Sequence, residues 1–115
     1  MSSNRNPKLW VEDILVSIQE IEDTLHEIEL NEFLGNHTLV NAVSFDLLKI
    51  SEAVKHLLEA NIELPSHEPW QDIYNLGNRL RHAYFGIDQE RIWLVAKQDL
   101  PSLKRTCQSM LKTLL

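Results

Sequence analysis

The chain is poor in what breaks a helix. Three glycines and four prolines are spread over 115 residues, and no run of β-branched residues suggests a strand. That scarcity leaves little room for a β-rich architecture with its many turns. A single cysteine, Cys107, excludes an internal disulfide, so a reducing cytoplasm is the expected location. No apolar run approaches the roughly 18 residues needed to cross a bilayer. The opening "MSSNRNPKLW" lacks the apolar centre of a signal peptide. Basic charge is also in deficit: 11 Lys and Arg face 17 Asp and Glu, a net charge of −6. A protein that coats duplex DNA through its overall field is therefore not expected, though a local basic site on an acidic body is compatible with that balance.

What remains reads as helix almost throughout. Trp10, Ile14, Ile18, Ile21, Leu25 and Ile28 recur at three- and four-residue steps between acidic residues, which predicts an amphipathic helix entered at Pro7. "NEFLGNH" interrupts the period. Gly35 suits a left-handed stop, and Asn36 suits an N-cap for a second helix over 37–60. The stripe of that helix is wide: Leu39, Val43, Leu47, Ile50, Val54 and Leu57, flanked by Val40, Ala53 and Leu58. Such width predicts contacts on two sides, within a bundle or across a dimer. Pro65 and Pro69 punctuate a loop. A third helix follows from Trp70 with Ile73, Leu76 and Leu80 inward, fraying near "HAYFGID". Asp88 reads as the cap of a fourth over 89–98. Pro101 marks a break or the first turn of a last helix bearing Leu103, Cys107, Met110, Leu111 and Leu114. The expectation is one all-α domain over residues 1–115, an up-and-down helical bundle of about five helices.

Most familiar chemistry has no footing here. The five histidines are scattered with no paired metal-ligand spacing. There is no phosphate-cradling glycine loop and no nucleophile elbow. One stretch stands out, "NLGNRLRHAYFGIDQERIW", where basic and aromatic residues interleave. Histidine is the usual general acid or base near neutral pH, which makes His82 the natural candidate. On a helix Asn78 and Arg79 lie on roughly its face, and a histidine, an amide and a guanidinium together can hold a phosphodiester. The bland alternative is a solvated polar face, with Tyr84 as a half-buried aromatic closing the bundle.

That stretch, preceded by "PWQDIYNLG", resembles the core of HEPN-domain proteins, specifically the HepT branch. "DILVSIQEIEDTL", "ISEAVKHL", "HAYFGID" and "DLPSLK" follow in the family's order, so the resemblance spans nearly the whole chain. It implies a small helical protein that forms a homodimer or a higher oligomer of dimers. The implied activity is that of an endoribonuclease toxin acting on RNA without metal or other cofactor. The implied partner is a nucleotidyltransferase antitoxin of the MntA type, which silences the toxin by attaching AMP to a tyrosine. The branch motif is R-x4-H-x-Y. Carried across, the histidine is His82, the polar residue is Asn78 and the AMP acceptor is Tyr84. The arginine belongs at position 77, where this chain has Gly77. The resemblance thus leaves two readings: a ribonuclease impaired by Gly77, with Arg79 a partial substitute, or a non-catalytic HEPN binding module that engages the nucleotidyltransferase. On the first, an arginine at position 77 is expected to restore cleavage. A straight helix separates positions 77 and 82 by about 140°, so convergence on one phosphate needs a bend before His82 or a second subunit.

Overall fold

The computed structural model describes residues 5–82 and 88–114. It is all-helical, with no strand among the described residues. Helix α1, Pro7–Thr24, starts where Asn6 caps it: the Asn6 carboxamide oxygen accepts from the Lys8 N–H at 2.9 Å, with Pro7 in the first turn. Val11, Ile14, Ile18 and Ile21 are buried along one face. Trp10 is only half-buried; it stacks on the His56 ring at 4.0 Å.

The first helix stops earlier than its apolar period suggests. It ends at Thr24, and Glu27 takes a left-handed φ of 61°. Leu25 and Ile28 still reach the core from the turn that follows. A short helix α2, Leu30–Phe33, then occupies part of the segment expected to be irregular. The Glu29 N–H donates to the Glu32 carboxylate at 2.8 Å, which closes its first turn. Its purpose in packing is Phe33, fully buried and tilted against Trp93 at 5.4 Å. Gly35 has the expected positive φ, 79°, and its N–H donates to the Gln89 side chain at 2.8 Å.

Helix α3, His37–Glu59, is the centre of the molecule. Asn36 caps it by accepting from the Leu39 N–H at 3.1 Å. It packs against α1 on one side and against α4, Trp70–His82, on the other. These two neighbours within the chain account for the width of its apolar stripe, so that width no longer argues for a dimer. Lys49 on α3 lies 3.2 Å from Glu20 on α1 and 3.0 Å from buried Asp46, the latter contact poorly aligned for a hydrogen bond. Burial raises the Asp46 pKa, while hydrogen bonding to Asp46 and then Lys49 lowers that of Glu20.

The loop before α4 is tied down at both ends. The Trp70 indole N–H donates to the Pro65 carbonyl at 2.8 Å. Glu68 is buried and accepts from the hydroxyls of Ser102 at 2.7 Å and Thr106 at 2.6 Å, both on the last helix. Cys107 beside them is fully buried. Burial, with the Glu68 charge adding to it, pushes its thiol up to about 12, so Cys107 is a packing residue.

Asp88 caps α5, Gln89–Leu94, by accepting from the N–H groups of Glu90 and Arg91 at 3.0 and 3.3 Å. Of the two places open to Pro101, a break or a first turn, the structure shows the first turn. A π-helical turn, Val95–Asp99, carries the chain directly into α6, Leu100–Thr113, with Pro101 in its first turn. Proline lacks an N–H and is tolerated there. The widened turn buries Val95 and Ala96, and then Leu100 and Leu103. Counted with that continuous run as one, the described residues form five helical stretches around one apolar core.

Candidate ribonuclease site

Helix α4 is built to place its last turn at the surface. Trp70, Ile73, Leu76 and Leu80 are buried, which fixes the helix on α3. Arg79, Arg81 and His82 lie in the final turn and are exposed. Three basic side chains there suit the negative end of the helix dipole, and on an acidic body they form a local basic site. Helical geometry persists through His82, so the bend expected before it does not occur. Asn78 is one turn back from His82 on the neighbouring face. Its side-chain oxygen accepts from the Arg81 guanidinium at 3.2 Å. Tyr84 lies outside the described residues.

Position 77 is governed by packing. Gly77 is buried and faces α3. A Cβ built on it would collide with both Oγ and Cβ of Ser51, which is itself fully buried. Rotation of the hydroxyl clears only the first clash; the second needs the helices to part. The Ser51 hydroxyl donates across the same contact to the Tyr74 carbonyl at 3.3 Å. Glycine at 77 is therefore a condition of the α3–α4 approach. Its cost of about 1 kcal/mol in helix propensity is offset by close packing. An arginine on this backbone would enter Ser51, not the surface beside His82.

Arg81 is not among the candidates read from the sequence. Its i, i+3 relation to Asn78 was the available signal. Ser51 was also missed, although it sits in "ISEAVK", a segment that carried part of the resemblance.

The family described as Ribonuclease HepT-like matches residues 14–110, which include α4 and its exposed end. The chain belongs to the HepT-like ribonuclease family. Relatives agree. A Thermococcus cleftensis protein named "Probable ribonuclease HepT" is 34% identical over 94% of this chain and 98% of its own length. "Putative RNase MJ1380" of Methanocaldococcus jannaschii is 34% identical over 90% of this chain and 94% of its own. "Putative RNase TTE0752" of Caldanaerobacter subterraneus subsp. tengcongensis is 28% identical over 94% of this chain and 96% of its own. No solved structure matches the chain. The exposed end of α4, with the imidazole of His82, is the candidate site. No helix among the described residues is long and apolar enough to cross a membrane.

Proposed function

We propose that this HepT-like chain is a metal-independent endoribonuclease toxin with His82 as its proton-transfer group. The supporting observation is His82 exposed at the end of α4, with the Asn78–Arg81 pair one turn behind it. In the reaction the ribose 2′-hydroxyl attacks the adjacent phosphorus. A base takes the hydroxyl proton, the new 2′-O–P bond forms, and the P–O5′ bond breaks as an acid protonates the leaving 5′-oxygen. The products are a 2′,3′-cyclic phosphate and a 5′-hydroxyl. Two homodimer-related copies of His82 around one cleft would supply both base and acid. The test is cleavage of cellular RNA by the purified chain in excess chelator, with the new ends identified by mass spectrometry. Cyclic-phosphate ends are expected. Cleavage that needs added divalent ions would overturn the metal-independent reading.

A second copy is the first partner of this proposal. Light scattering at micromolar concentration is expected to give twice the chain mass of 13.4 kDa or a multiple of that. A monomer would remove the shared cleft.

The second proposed partner is a nucleotidyltransferase antitoxin that attaches AMP to Tyr84. Tyr84 is two residues beyond His82, so AMP there would set negative charge and bulk where the RNA phosphate must lie. Incubation with the transferase and ATP is expected to add AMP to the Tyr84 peptide, and Tyr84→Phe to abolish both modification and neutralisation. Neutralisation that survives in Tyr84→Phe would rule this regulation out. A second reading, a non-catalytic module engaging the same transferase, is favoured by the missing arginine at position 77. It predicts binding to the transferase with no RNA cleavage.

A further inference from the structure

The departure at position 77 leaves the ribonuclease reading without its usual cation, and the structure offers one from elsewhere on the same helix. Arg81 points back along α4, as helical side chains do. Its Nη2 lies 3.2 Å from the Asn78 Oδ1. The same nitrogen stands 3.7 Å from the place a Cβ would occupy at Gly77. The guanidinium is thus held one turn back, beside Asn78 and at the edge of the Gly77 contact. Arg81 is exposed, and a guanidinium carries five N–H donors. The bond to Asn78 takes one and leaves others for a ligand.

Angles around α4 locate the pair relative to His82. Taking His82 as origin, Asn78 lies about 40° to one side, Arg81 about 100° and position 77 about 140° on that same side. Asn78 therefore stands between Arg81 and His82, and its hydrogen bond ties the guanidinium to the flank next to the histidine. A side chain at position 77 would start farther round and point into Ser51. Arg79 lies about 60° to the other side.

We propose that Arg81, steadied by Asn78, is the guanidinium that grips the phosphodiester oxygens of RNA in this chain. The assignment rests on the ribonuclease reading and extends it: Arg81 is a catalytic residue and Asn78 its positioning residue. The chain then combines a glycine at 77, required by the α3–α4 contact, with a cation supplied from position 81. Lysine would supply charge but neither the planar fork nor the same bond to Asn78.

The test measures RNA cleavage and thermal unfolding of the unaltered chain, Arg81→Ala, Arg81→Lys, Asn78→Ala, the Asn78→Ala/Arg81→Ala double variant, Arg79→Ala, His82→Ala and Arg105→Ala, the last an exposed arginine on α6. Arg81→Ala is expected to lower kcat by roughly 10²–10³-fold, as for other charge-stabilising groups, with unfolding unchanged. Arg81→Lys should recover less than a tenth of the loss. Asn78→Ala should show a smaller fall, and no further fall in the Arg81→Ala background. Arg105→Ala should cleave as the unaltered chain does. Full activity in Arg81→Ala, alongside an inactive His82→Ala, overturns the role of Arg81 and leaves the ribonuclease reading standing. Destabilisation of both Arg81 variants without a kcat effect beyond the folded fraction makes Arg81 a helix-end residue only. A larger loss in Arg79→Ala moves the role to Arg79. No cleavage by the unaltered chain overturns both readings together.

Discussion

His82→Ala is expected to abolish RNA cleavage while leaving the fold intact. General acid–base groups contribute about 10²–10⁴-fold to rate, and two symmetry-related histidines in one cleft would be lost together, so the residual activity should fall below detection. The side chain is exposed at the last position of α4. The anchors of that helix, Trp70, Ile73, Leu76 and Leu80, are elsewhere. Loss of an exposed side chain of this kind changes stability by less than about 0.5 kcal/mol. Circular dichroism melting alongside a cleavage assay checks both halves. A variant that melts early would make His82 a structural residue; a variant that cuts normally would move the proton transfer elsewhere.

Gly77→Arg is expected to unfold or severely destabilise the protein. The side chain would meet Ser51 in a closed helix interface. Overpacking alone costs about 1–3 kcal/mol, and an unpaired charge at a buried position adds several more, out of a total stability of about 5–15 kcal/mol. Gly77→Ala isolates the steric part. Alanine gains about 1 kcal/mol in helix propensity, yet the net effect should be destabilising because its Cβ overlaps the Ser51 Cβ. Ser51→Gly in that background removes the overlapping atom. A double-mutant cycle by chemical denaturation should therefore return a favourable coupling of about 1 kcal/mol or more. If Gly77→Ala were neutral and uncoupled to Ser51, the close approach of α3 and α4 would not be what requires glycine. A folded Gly77→Arg protein with increased cleavage would return the catalytic cation to position 77.

The sequence by itself determined the local part of this protein. Apolar residues at helical spacing located the buried faces of α1, α3, α4 and α6. Asn36, Asp88 and Gly35 marked helix ends, because a cap or a left-handed stop depends on atoms within one turn of chain. The H-x-Y stretch and the segments around it also carried enough pattern to point to the HepT-like family. Contacts between distant segments needed the tertiary structure. The period of α1 ran on through Ile28, yet a left-handed turn at Glu27 redirected the chain while keeping Ile28 on the core. Pro101 fitted either a break or a first turn, and the π turn upstream carries the chain into the helix whose first turn holds it. Gly77 looked like a lost arginine because the sequence contains no record of Ser51 on the facing helix. Arg81 did not stand out because linear spacing to His82 does not show which way a long side chain leans. Both positions depend on how closely α4 is drawn onto α3. That distance is set by the summed packing of two helices, a property no single stretch of the chain possesses.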